Sequence, residues 1–138
     1  MARFSVDGLD RLLLDLAEME RIPDKTLDAM LLAGGEVIRK AESDNAESML
    51  QGPYYKGAVK AAVTVGKPKK LRNGRCVYIT FKGMQHGNRI AEIAFVNEFG
   101  KTSQPARPFI KTAVESKAEE AEAEEFRIYD EWLKSKNL

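Results

Sequence analysis

Asn73-Gly74 lies between two runs of alternating side chains, and this arrangement constrains the fold of the chain more than any other feature of it. Asn-Gly is among the dipeptides that turn a chain back on itself most readily. Before it, Val59, Ala61, Val63 and Val65 alternate with Lys60, Ala62 and Thr64. After it, Val77, Ile79 and Phe81 share one face while Tyr78 and Thr80 take the other. Alternation with period two marks a strand with one buried face, so two strands are predicted, joined by a loop over 67–74. Ile90, Ala91, Ile93, Ala94 and Phe95 predict a third strand, reached through a loop over 83–88. Connections this short favour an antiparallel meander.

Helical spacing brackets the β segment. Leu9, Leu12, Leu13, Leu16 and Met19 predict a first helix that Asp7 can cap. Pro23 opens a second, in which Leu27, Met30, Leu31, Ile38 and Ala41 keep the helical period until it fades after Asn45. Gly34 and Gly35 each cost about 1 kcal/mol relative to alanine in a helix interior, so they predict a kink or, preferably, close packing in which another backbone approaches. Gln51 to Gly57 reads as a loop. After Gly100 and a loop carrying Pro105 and Pro108, a last helix is predicted from near Phe109, with an intermittent apolar stripe through Ile110, Ala113, Val114, Ala121, Phe126, Tyr129 and Leu133. Its length, roughly 25 residues, is about twice the globular average, so part of it is expected to leave the domain or to pack on another subunit. The expectation is one α+β domain over residues 1–138: a small antiparallel sheet of three to four strands packed with two N-terminal helices and one long C-terminal helix.

Charge adds little globally. Lys and Arg number 22 against 21 Asp and Glu, a net charge of +1, so any charge-driven partner must be read from a local cluster. The single cysteine, Cys76, forms no internal disulfide and is expected as a small apolar residue within a strand, in a reducing compartment. Met1 to Asp7 lacks the apolar core of a signal peptide, and no run approaches the roughly 20 apolar residues of a membrane span, so neither ordinary export nor membrane insertion is expected.

Catalytic chemistry finds no footing. One histidine, His86, sits in a loop flanked by Gln85 and Gly87 with no support for a triad, and one Cys with one His makes no ordinary zinc site. Neither phosphate-binding glycine motif occurs. No enzyme activity, cofactor, metal or small-molecule ligand is expected. Glu115, Glu119, Glu120, Glu122, Glu124 and Glu125 crowd the last helix, either as a solvated face or with Glu119 and Glu122 meeting a basic patch on another subunit. Lys67, Lys69, Lys70, Arg72 and Arg75 cluster at the predicted hairpin tip. They serve solubility, touch DNA phosphates, or meet the acidic face of a neighbouring protein. Tyr54, Tyr55 and Trp132 suit core packing or a subunit interface.

The most informative segment is Ala94-Phe95-Val96-Asn97-Glu98-Phe99-Gly100, followed by Ala106-Arg107-Pro108-Phe109-Ile110. Glu98 can accept backbone N–H bonds or pair with a base, Phe99 is expected to bury, and Gly100 lets the chain turn sharply. Pro108 in a first helical turn, with Phe109 beside it, anchors the last helix on the sheet. Glu98, Phe99, Gly100, Arg107, Pro108 and Phe109 thus form a structural corner and not a catalytic one.

In order and spacing this segment resembles the tail-component, or tail-completion, family of long-tailed double-stranded DNA bacteriophages and their prophages. Gly8-Leu9-Asp10 ahead of Leu12, Leu13 and Leu14, and Gly57 before the first strand, extend the likeness over nearly the whole chain. The resemblance implies a structural protein of the head–tail junction or tail, present in the virion, synthesised in the bacterial host cytoplasm, and working by assembly without catalysis. It also implies a cyclic homo-oligomer, with a hexamer as the first ring size to consider, whose neighbours are the head connector and the tail-tube or tail-terminator proteins. The alternative reading is a nucleic-acid-binding module using the basic tip over 67–75 to contact DNA.

Overall fold

A computed structural model of the chain describes residues 22–50 and 53–137; the predicted first helix, Leu9 to Met19, lies outside the described residues, as do the side chains of 53–56. The elements in order are α1 (Asp24–Met49), α2 (Pro53–Ala62), β1 (Val63–Val65), β2 (Lys69–Leu71), β3 (Gly74–Cys76), β4 (Ile79–Phe81), β5 (Met84–Gln85), β6 (Asn88–Arg89), α3 (Ile90–Phe99) and α4 (Phe109–Ser135). The class is α+β, with antiparallel strands between an N-terminal helix and a long C-terminal one. The strands pair two by two, β1 with β4, β2 with β3 and β5 with β6, in three small sheets.

The central hairpin forms where the alternation predicts it, with two adjustments. Val63 faces Phe81 and Val65 faces Ile79, while farther out Lys69 faces Cys76 and Leu71 faces Gly74. Between these two ladders Gly66, Lys67 and Pro68 stand opposite only Val77 and Tyr78, so the first arm carries one extra residue, a bulge. Pro68 falls at this irregularity, where its missing N–H removes no ladder bond. The tight turn is centred on Arg72 and Asn73, and Gly74 closes it. A second two-residue turn, His86-Gly87, joins β5 to β6, and both residues have positive φ, 52° and 80°. That pairing of angles matches the twist of a tight hairpin, and histidine is among the few side chains that tolerate it. His86 is thus a turn residue.

Two predicted elements change type. From Pro53 on, the stretch expected as a loop over 51–57, with the first half of the expected strand over 59–65, is the helix α2, and residues 51–52 lie outside the described residues. Pro53 opens it, Ala58, Ala61 and Ala62 favour it, and Val59 with Ala62 bury at i, i+3. The third strand, expected over Ile90 to Phe95, is the helix α3. Its buried residues Ile90, Ala94, Asn97 and Glu98 recur at i, i+4, i+7 and i+8, a helical period that the isoleucines disguise as a strand. The meander therefore stops at one long hairpin and one short one.

Ala46, Leu50, Val59, Ala62, Ile90, Ala94 and Phe109 form the core, where the end of α1 meets α2, α3 and the start of α4. Phe81 from β4 meets Phe109 edge-on, with ring centroids 5.9 Å apart. From this core α1 and α4 run antiparallel. At one end the Asn45 side chain donates to the Phe109 carbonyl at 3.2 Å, and toward the other Gly34 lies against the Glu125 side chain. Both helices are roughly 40 Å long at 1.5 Å per residue, so α1 gives α4 a partner along its length and no part of it needs to leave the domain. The paired glycines explain how close the layers come. A Cβ on Gly35 would lie 3.2 Å from Val65 of the hairpin, and one on Gly34 would meet the Glu125 side chain of α4. The expected close packing is present, and it is against side chains.

Candidate functional site

The corner between α3 and α4 is built around Glu98. Helix α4 begins after Pro108, which offers no capping side chain, and its first turn carries no acidic residue of its own. Its first N–H groups would be orphaned inside the protein. The Glu98 carboxylate accepts the N–H of Ile110 at 2.8 Å and that of Lys111 at 3.0 Å. It places a negative charge at the positive end of the α4 dipole, so a residue on one helix caps the next.

The intervening loop is held from both sides. Asn97, nearly buried, donates to the Ile93 carbonyl at 2.9 Å and accepts from the Gln104 side chain at 3.0 Å. Its own carbonyl accepts the Arg107 N–H at 2.6 Å. Lys101 and Gln104 bridge back to back across the turn. Gly100 has φ 76°, and a Cβ there would lie 2.7 Å from the Ala106 nitrogen, so only glycine fits. The structure therefore brings Glu98, Gly100, Arg107, Pro108 and Phe109 into one corner, with Phe109 fully buried.

Phe99 is the exception, and the expectation that it buries is wrong. It is 67% exposed, beside Phe95 at 62%, their ring centroids 4.8 Å apart. In a helix, Glu98 occupies the inward position four residues after Ala94, and the next residue rotates about 100° outward. Ala91, Phe95 and Phe99 then share an outer face at i, i+4 and i+8. This exposed aromatic pair was hidden by reading the segment as a strand.

Comparison of the chain with family models, with curated proteins and with solved structures found no match.

A further residue of the corner, Glu42 on α1, escaped the sequence reading. It is 3% exposed, and its Oε2 has no hydrogen-bond partner among the described residues. Burial, reinforced by the Glu98 carboxylate, pushes its pKa up to about 7. The signal available was its place four residues after Ile38 and four before Ala46, a charged residue on an apolar stripe.

The basic hairpin tip divides into two parts. Lys67, Lys69, Lys70 and Arg72 are exposed, and Lys69 sits 5.5 Å from the centre of the Tyr78 ring. Arg75 does not belong with them. Its guanidinium pairs with Asp28, one bond measuring 3.0 Å, and approaches Asp24 at 3.7 Å, which ties the hairpin to the start of α1. Arg75 is thus an anchor, and a contact role at the tip falls to the other four. Around them, residues 48–91 contain nine Lys and Arg and no Asp or Glu. The backbone of Tyr54 and Tyr55 belongs to α2; their side chains lie outside the description. Trp132 is half-buried near the end of α4, stacked on Tyr129 at 6.1 Å.

Cys76 is half-buried in β3. Among the described residues no group of three or more His, Cys, Asp and Glu side chains could hold a metal ion, and no helix is long and apolar enough to cross a membrane. A cleft of about 280 Å³ flanks the corner, lined by Asn88, Glu92, Val96, Lys101 and Gln104 among others. Its polar lining is one carboxylate, one amine and side-chain amides, a set suited to hydrogen bonding.

Proposed function

We propose that the chain is a structural protein of the head–tail junction or tail of a long-tailed double-stranded DNA bacteriophage or prophage, working by oligomeric assembly without catalysis. One observation carries this reading: the residues on which the phage resemblance rests converge on a single corner, where Glu98 caps α4 and the same helix turns Phe95 and Phe99 outward. Large exposed aromatics side by side lose water when covered by a protein partner, and aromatics are enriched in the buried centres of interfaces. In this reading the chain forms a ring with copies of itself, a hexamer being the first size to test. It contacts the head connector on one side and tail-tube or tail-terminator proteins on the other, and its place is the virion. The test is the oligomeric state of the full chain by light scattering across micromolar concentrations, alone and with connector and tail-tube proteins. Assembly is expected, and a chain that stays monomeric in all of these mixtures overturns the reading.

A second reading, a nucleic-acid-binding module, is favoured by the acid-free stretch over 48–91 and its exposed Lys67, Lys69, Lys70 and Arg72. It predicts duplex binding that weakens steeply with salt and is lost when Lys69, Lys70 and Arg72 are changed to glutamate.

A further inference from the structure

We propose that the hairpin arm of one copy docks on the outer face of α4 of the next copy, a head-to-tail contact between two different patches of the same chain. The inference rests on the self-assembly part of the reading above and names the surfaces that would carry it.

The outer face of α4 is a stripe. Glu115, Glu119, Glu122 and Phe126 recur at i, i+4, i+7 and i+11, all exposed, on the side turned away from the buried Phe109, Ala113 and Ala121. Glu119 and Glu122 make no ion pair among the described residues, whereas Glu115 lies 3.9 Å from Lys111, and Glu120, Glu124 and Glu131 are held by neighbours on the same helix. Phe126, 67% exposed, places an apolar group in the same row as the carboxylates. Such a surface asks for a partner that offers several cations and an apolar side chain together.

The hairpin arm offers that combination. Lys67, Lys70 and Arg72 make no ion pair among the described residues, and Leu71 at the turn and Tyr78 beside Lys69 are 46% and 52% exposed. The arm lies fixed along α1: Val65 and Val77 press on Gly35, and Arg75, one step from the turn, grips Asp28, which leaves the lysines, Arg72 and Leu71 on its exposed side. Charge is segregated to match. The arm lies within the acid-free stretch, while all 21 acidic residues and the other 13 basic ones lie outside it.

Two features favour a copy of this chain over a nucleic acid as the occupant. A phosphate backbone has no use for exposed Leu71, and the acidic remainder of the molecule repels a polyanion that the arm alone attracts. Nor does the arm satisfy the stripe within one molecule. It rests on α1 at Gly35, whereas Glu115 and Glu119 lie on the exposed side of α4, and Glu122 and Phe126, exposed too, border Ile22 and Met30 at the start of α1. Because the two patches differ, the contact repeats from copy to copy and closes into a ring or continues as a filament. Opposite charges arranged in this way fix which surfaces meet and in what register, more than they add raw affinity.

The experiment follows the full chain by sedimentation velocity at low and high salt. An arm variant carries Lys69→Glu, Lys70→Glu and Arg72→Glu; a stripe variant carries Glu115→Lys, Glu119→Lys and Glu122→Lys. Each alone should associate at least about tenfold more weakly than the parent chain, since every contact then sets like charges together. Mixed in equal amounts, the two should assemble again, because the acidic arm of one meets the basic stripe of the other and the reverse contact is equally matched. That recovery also shows that both variants are folded. If both variants assemble as the parent does, or the mixture does not recover, the inference is overturned while the assembly reading stands. If the arm variant assembles normally but loses salt-dependent binding to duplex DNA, the arm serves nucleic acid, and the inference is again overturned. A parent chain that remains monomeric overturns both.

Discussion

The carboxylate of Glu98 accepts the backbone N–H of Ile110 at 2.8 Å, so the last residue but one of α3 caps the helix that begins eleven residues later. This single side chain satisfies two donors that neither Pro108 nor the first turn of α4 can satisfy. Glu98→Ala should therefore destabilise the protein by roughly 1–3 kcal/mol, since it leaves two partly buried backbone donors unpaired at a helix N-terminus. Glu98→Gln, which keeps one acceptor oxygen, should cost less. Urea denaturation measures both, and hydrogen exchange should show the first turn of α4 losing protection before the rest of the helix. Equal losses for the two variants would contradict the capping role.

Glu42 makes stability depend on pH in a direction opposite to that of a paired carboxylate. Its folded pKa is about 7, raised from 4.5 by burial and by Glu98, so between those two values the folded state holds a proton that the unfolded state has released. The contribution of this group to stability is complete below about pH 4.5, falls as pH rises, and is lost above about pH 7, a change of up to roughly 3 kcal/mol. Glu42→Gln, which cannot ionise, should flatten that slope. It should be near parity with the parent at pH 5 and more stable at pH 8. Thermal melts across this range decide the matter, and an unchanged slope in the variant would assign the pH dependence elsewhere.

Two glycines should respond to alanine with opposite signs. Gly100→Ala forces a side chain into a positive φ and onto the Ala106 backbone nitrogen at 2.7 Å, and should cost more than about 2 kcal/mol. Gly57 lies in α2 with nothing among the described residues within 4 Å of its Cβ position, so Gly57→Ala should stabilise by up to about 1 kcal/mol. Paired denaturation curves test the contrast.

The Phe95–Phe99 pair contributes to surface more than to core. Changing both to serine should move folding stability by no more than about 0.5 kcal/mol each, as for other exposed positions. The same change should weaken association of the chain with itself or with its partners, read by light scattering on the same samples. A large loss of stability with unchanged association would return the pair to a folding role.

The legible part of this protein was what a short stretch of chain decides alone. Apolar period and helix-start residues placed α1 and α4. Alternation on either side of the turn at Asn73 placed the central hairpin, and the Pro108-Phe109 step marked where the last helix opens. Illegible were the stretches whose local signal fits two periods. Val59, Ala62 and Val63 serve a helix as well as a strand, and Ile90 to Phe95 is an apolar run too short to declare its period. That second ambiguity carried a further error with it, because deciding between strand and helix also decides which way Phe99 points.

The sequence by itself determined the α+β class and the residues of the corner, since turns, caps and periodicity act between near neighbours. Only the tertiary structure decided what those residues do. It drew Arg75 out of the basic tip and onto Asp28, 47 positions away, turned Phe95 and Phe99 to solvent, and closed Glu42 into an apolar layer beside Glu98. The physical reason is that a side chain's charge and environment are set by whichever element packs over it, and that element comes from elsewhere in the chain.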